Sequence, residues 1–213
     1  MAAFVWHDIF DGRERLEQRL AEYAAKRGWS KERLQELGVD RRPLTRQALR
    51  TSMARVPPPE LRRFWANGLV NQTAEYGVEI NTAALASLDR REAVAHRVWR
   101  GEAALLLPLL DAVRLDLCAF LTKDIGPNWP EKLGWPHDEE EQNAVREDPY
   151  SAQWGYLSWL LRNAPPLRRV FRLAQLSSQA WWIRNELAHY RPVAFAPFRQ
   201  FCEYDNAWSP GPA

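Results

Sequence analysis

Apolar positions recur at helical spacing through most of the chain. Leu16, Leu20, Tyr23 and Ala24 predict a helix over 16–27 that Gly28 ends. Ser30 is placed to cap a second short helix reaching Leu37, with Glu32 in its first turn at the positive end of the helix dipole. Arg33 stands where a reciprocal capping box needs Glu or Gln, so that box is absent. Asp40 to Pro43 reads as a turn. Thr45 to Arg55 reads as a third helix, ended by the prolines at 57 to 59, and Glu60 to Tyr76 as a further amphipathic helix. The stretch Gly28 to Arg50 has the loose outline of a helix-turn-helix, a common arrangement of short basic helices.

The pattern becomes more apolar from about Leu88. Arg91 to Gly101 and Ala103 to Lys123 predict two strong helices, with Pro108 either kinking the second or marking its first turn. Leu106, Leu110, Val113, Leu117 and Leu121 form one stripe and predict a buried face. Gly126, Pro127 and Pro130 end that helix. Residues 125 to 150 read as a long connection carrying the acidic run Asp138 to Glu141 on a solvated surface. Helix resumes over 150–163, and a last long helix covers 167–190. No alternating strand pattern and no internal repeat is visible. The fold class expected is therefore all-α, a helical bundle. The expected division is an N-terminal helical segment (1–85), a main helical domain (86–200) and a frayed tail (201–213).

Composition narrows the picture only slightly. Over 213 residues, 46% are hydrophobic and 26% charged, the balance of a globular protein. The net charge of +2 excludes a strong overall basic field. The basic residues are nearly all arginine, which suits bidentate phosphate contacts but also follows from base composition. Two cysteines, Cys118 and Cys202, imply neither a disulfide framework nor a C-x-x-C site. No signal peptide and no membrane span are predicted, and a cytoplasmic location is expected.

The candidate chemistry lies in WWIRNELAHYRP, residues 181 to 192. Leu173, Leu176, Ala180, Ile183 and Leu187 share one side of that helix and predict a core stripe. Trp181, Asn185 and His189 fall on another side, with Arg184 between the two. Arg184 and His189 are about 140° apart around the helix and about 7.5 Å apart along it. A single helix holds them apart, whereas two copies about a two-fold axis could bring the arginine of each to the histidine of the other. Pro192 disfavours helix at Arg191, so the helix should finish near His189 or Tyr190. A histidine there lies at the negative end of the helix dipole, and it can both give and take a proton. An arginine beside it can steady a phosphorane-like dianion. Alternatively, Arg and His at a helix C-terminus simply cap the last carbonyls. His7, His96 and His137 read as surface or satisfied positions, and no metal-ligand spacing is present.

Arg184-Asn185-x-x-x-His189, near the end of the last long helix of an all-α domain, resembles the R-x(4-6)-H motif of the HEPN superfamily. The residue after the arginine in that family is often Asn. The apolar helix 103–123, with LPLLDAVRLDLCAFLTKDIGPNWP at 107 to 130, is similar to the first long helix of such domains. The likeness covers about residues 90 to 195. It implies a HEPN-type bundle with an added N-terminal segment. It further implies a metal-independent homodimeric endoribonuclease in which an RNA 2′-hydroxyl attacks the neighbouring phosphate and leaves a 2′,3′-cyclic phosphate. His189 would be the acid-base group, Arg184 the phosphate group and Asn185 a supporting group. Arg114, Trp181, Tyr190 and Arg191 are substrate-binding or supporting candidates. Arg114 could equally be a snorkelling side chain paired with Asp111. Trp181 and Trp182 could stack a base or pack in a core or dimer. The implied partners are RNA, a second copy, and an antitoxin or defence-system protein, in a phage-defence or toxin–antitoxin setting. No cofactor and no metal is implied. Some relatives carry H-x-Y, a tyrosine modified by a partner enzyme; here Tyr190 follows the histidine directly. A non-catalytic protein- or nucleic-acid-binding module is the alternative.

Overall fold

The computed structural model describes residues 13–39, 59–73, 77–135, 138–163 and 168–208. These residues are predominantly helical, with one two-stranded antiparallel ribbon. The chain divides into two compact units, one containing residues 11–97 and the other residues 98–213. The boundary falls inside a helix, twelve residues beyond the one expected at 85.

In the first unit, α1 (Arg13–Lys26) and α2 (Lys31–Glu36) follow their apolar spacing closely. Leu16, Leu20, Ala24 and Leu34 are buried. Ser30 caps α2 as predicted, its hydroxyl accepting from the Arg33 amide at 3.2 Å. The helix expected over 45–55 lies outside the described residues. The helix expected over 60–76 is shorter. It is α3 (Pro59–Ala66), and Gly68 turns the chain into β1 (Val70–Thr73) and β2 (Gly77–Ile80), which pair antiparallel. These strands hold only four residues each, too few for alternation to stand out in the sequence. Asn81 then caps α4 (Thr82–Ser87), accepting from the Ala83 amide at 2.9 Å, and α4 packs on α1.

The helices expected over 91–101 and 103–123 are one helix, α5 (Arg91–Ile125), unbroken at Pro108. Proline there removes the amide that would bond the Ala104 carbonyl. Both residues are exposed, so water can satisfy that carbonyl. The predicted stripe of Leu106, Leu110, Val113, Leu117 and Leu121 is buried throughout. In the second unit the expected long connection is instead two helices, α6 (Trp129–Leu133) and α7 (Glu139–Glu147), followed by a 3-10 turn (Pro149–Ser151). The acidic run is the start of α7. Asp138 is its N-cap, accepting from the Glu141 amide at 2.9 Å, and Glu139 to Glu141 occupy the positive end of the helix.

Two antiparallel hairpin partners complete this unit, α8 (Trp154–Asn163) and α9 (Arg168–Ala188), and α10 (Phe195–Trp208) packs on α9. Leu173, Leu176, Ala180, Ile183 and Leu187 of α9 join the same core as the α5 stripe. The tail is not frayed from 201. Phe198 and Phe201 are core residues one helical turn apart, and they hold α10 to Trp208. No helix among the described residues is long and apolar enough to cross a membrane.

Candidate functional site

The site is built on the C-terminal end of α9, and its shape follows from how that helix stops. The helix ends at Ala188, His189 opens the turn that follows, and Tyr190 takes a left-handed backbone conformation with φ +59°. The Tyr190 amide donates to the Leu187 carbonyl at 3.2 Å, and the Arg191 amide to the Glu186 carbonyl at 3.0 Å. That pair of bonds is a Schellman motif with Tyr190 at the left-handed position. Pro192 follows it, as expected of a residue that cannot continue a helix.

Two side chains of α5 hold this turn. Trp99 donates its indole N–H to the Leu187 carbonyl at 2.7 Å, and its ring lies 4.7 Å from that of Tyr190. Glu102, fully buried and three residues on, accepts the Val193 amide at 2.7 Å. Residues three apart on a helix share a face, so one turn of α5 clasps both sides of the α9 terminus. Neither residue was found by sequence reasoning. Each acts across about ninety residues of chain, and no local pattern carries that information.

The candidate residues divide sharply. Arg184 and His189 are exposed and Asn185 is half-buried. The Arg184 guanidinium donates to Asn185 Oδ1 at 3.4 Å. The His189 ring bonds no other described residue; its electrostatic neighbour is the Glu186 carboxylate. The terminal carbonyls of Asn185, Glu186 and Leu187 are satisfied by backbone amides and by Trp99. Capping therefore does not consume the side chains of Arg184 and His189. Trp181, on the same side, lies against Gly155 of α8 and keeps 40% of its surface exposed. Trp182 packs against the core.

Arg191 and Arg114 are engaged elsewhere. Arg191 makes a two-pronged pair with Glu186, through Nε at 2.9 Å and Nη2 at 2.5 Å. This ion pair replaces the apolar contact that often closes a Schellman motif. Arg114 gives Nε to Asp111 at 2.9 Å and Nη1 to the carbonyls of Tyr150 and of Ala152, the latter at 3.0 Å. It is a clamp on the chain entering α8, and it sits roughly 22 Å along α5 from Trp99. Within one chain it is not brought to the His189 end. His96 is exposed, while His7 and His137 lie outside the described residues. Among the described residues no three His, Cys, Asp or Glu side chains are grouped to hold a metal ion.

The Glu186–Arg191 pair sets a pH dependence. The hydrogen bond from Arg191 holds the Glu186 carboxyl below the usual carboxylate range, and the charges of Arg191 and His189 add to this. A depressed carboxyl contributes stability above its unfolded value and loses it as pH falls through its folded value. The terminal turn should therefore loosen on acidification below the ordinary carboxylate range. The Tyr190 ring resonances should follow that titration by NMR. In a Glu186→Gln chain that transition should vanish; if it persists unchanged, another group governs the turn.

No family model matches this chain, and no curated protein and no solved structure is found to be similar to it. The resemblance to the HEPN motif rests on the sequence Arg184-Asn185-x-x-x-His189 alone.

Proposed function

We propose that this protein is a metal-independent endoribonuclease of HEPN type, working as a homodimer. The observation that carries the reading is the open trio at the α9 terminus. Arg184, Asn185 and His189 reach solvent together, and the helix end they sit on is capped by other groups. An exposed arginine suits a phosphate, and an exposed histidine suits proton transfer at neutral pH.

In the proposed reaction His189 takes the proton of an RNA 2′-hydroxyl as its oxygen attacks the adjacent phosphorus. The P–O5′ bond breaks, the leaving 5′-oxygen takes a proton from the imidazolium so formed on His189 and becomes a 5′-hydroxyl, and a 2′,3′-cyclic phosphate remains. Arg184 steadies the charge on the pentacovalent phosphate. Arg184 and His189 diverge around one helix, so the partner copy supplies the complement. The setting implied by the resemblance is phage defence or a toxin–antitoxin pair. The test is RNA cleavage in excess chelator with the product ends identified.

A second reading is a non-catalytic binding module. The observation that favours it is that Leu105, Leu107, Leu109 and Leu115 of α5 are exposed around the helix outside its buried stripe. On that reading, alanine at Arg184 or His189 leaves function intact, whereas charges placed on those leucines abolish it.

A further inference from the structure

The left-handed tyrosine at the α9 terminus has a use beyond ending the helix. Five helices in the described residues end with the same pair of bonds. In three of them the left-handed position is glycine: Gly28, with the Trp29 amide on the Ala24 carbonyl; Gly38, with Val39 on Leu34; and Gly68, with Leu69 on Phe64. In the fourth it is Asp89, with Arg90 on Leu85; aspartate is one of the side chains that tolerate this region, and Asp89 is paired with Lys31 at 2.7 Å. Only Tyr190 places a bulky ring there. A Cβ is disfavoured in this conformation, and glycine is the residue that fits it without penalty.

Packing alone does not account for the choice. One side of the Tyr190 ring meets Trp99 at 4.7 Å with the planes 48° apart. Yet 68% of the residue stays exposed, more than any other large hydrophobic side chain described. The chain thus holds an unfavourable backbone conformation to keep a rigid aromatic face in water. Strained backbone of this kind persists where its surroundings over-determine it, and it concentrates at functional positions. Here the surroundings are Trp99, anchored on the Leu187 carbonyl, and the Glu186–Arg191 pair on the other side. The ring directly follows His189, the proposed acid-base group, and lies in the next turn from Arg184.

We infer that the free face of Tyr190 stacks an unpaired base of single-stranded RNA, placing the adjoining phosphate at His189 and Arg184. The inference rests on the RNA-cleaving reading above. Every base has a π-face, so stacking of this type tolerates sequence, and it requires a nucleotide that is not held in a duplex. The substrate class is therefore single-stranded RNA or an unpaired loop, with register set by one stacked base.

The experiment uses the full-length chain and short single-stranded RNAs that carry one abasic nucleotide, moved along the strand. Binding is measured in a His189→Ala background and cleavage in the His189 background. The variants are Tyr190→Phe, which keeps the ring, and Tyr190→Gly, which removes it while suiting the backbone. Wild type should lose about 5- to 100-fold in affinity when the abasic site falls at one particular position. Tyr190→Gly should lose as much on intact RNA and be indifferent to the abasic site at that position, with its melting temperature maintained. Tyr190→Phe should behave as wild type. If wild type cleaves and binds RNA and Tyr190→Gly does so equally well, the stacking role is overturned and the nuclease reading stands. If Tyr190→Phe loses as much as Tyr190→Gly, the hydroxyl and not the face is at work, which also overturns it. If wild type neither binds nor cleaves any single-stranded RNA, both readings fall together.

Discussion

Replacing His189 by alanine is expected to remove RNA cleavage by about a thousandfold or more while leaving the fold in place, since general acid-base groups contribute on the order of 10²–10⁴ and the same residue serves both proton transfers. The expectation of an intact fold comes from the geometry. The ring is exposed, it bonds no other described residue, and the Schellman bonds around it run between backbone groups. Loss of stability should stay within about 0.5 kcal/mol, as for a surface side chain away from any buried network. Arg184→Ala should lose cleavage to a similar extent for a different reason, because its bond to Asn185 is long and its guanidinium otherwise faces solvent. Mixing the two inactive chains gives a sharper result. If each site takes its arginine from one copy and its histidine from the other, a mixed dimer holds one intact site, and activity should return to about a quarter of wild type. If each copy acts alone, the mixture stays inactive.

The largest effect on stability is expected at Glu102. Its carboxylate is fully buried and accepts the Val193 amide just beyond Pro192, where the chain leaves α9 for α10. Glu102→Leu fills the volume but strands a buried N–H, at a cost of about 1–3 kcal/mol. Glu102→Gln keeps an acceptor and should lose about half as much or less. Urea unfolding of both variants reads this directly. Equal stability of Glu102→Leu and wild type would mean that the clasp on the α9 terminus lies elsewhere.

Much of this architecture is written in local periodicity. The stripes on α5 and α9 show which faces are buried, because a 3.6-residue repeat survives any tertiary context. The Ser30 cap is equally plain. The acidic run 138–141 carries a helix-start signature as well, aspartate followed three residues later by glutamate, set among prolines that themselves read as a connection. Pro108 reads as a kink or as a first helical turn, and it lies inside one continuous helix. A proline on an exposed face interrupts a bond that water replaces, and the helix continues. At the candidate site, Trp181, Arg184, Asn185 and His189 stand apart from the core stripe in the sequence itself. What surrounds them does not. Trp99 and Glu102 act from the far end of α5, and the Glu186–Arg191 pair forms only because Tyr190 turns the chain back. Arg114 shows the converse. The sequence marks it as a buried-edge arginine, and its partners are Asp111 and two loop carbonyls rather than the α9 terminus.

Cleavage of RNA by Arg184 and His189 without a metal ion can be tested in one assay. The direct measurement is incubation of the full-length chain with single-stranded RNA in excess chelator, with the ends of the products identified. Wild type should cleave and leave 2′,3′-cyclic phosphate and 5′-hydroxyl ends, and Arg184→Ala and His189→Ala should not cleave. Cleavage that survives both substitutions, or that leaves 5′-phosphate ends, would contradict this mechanism.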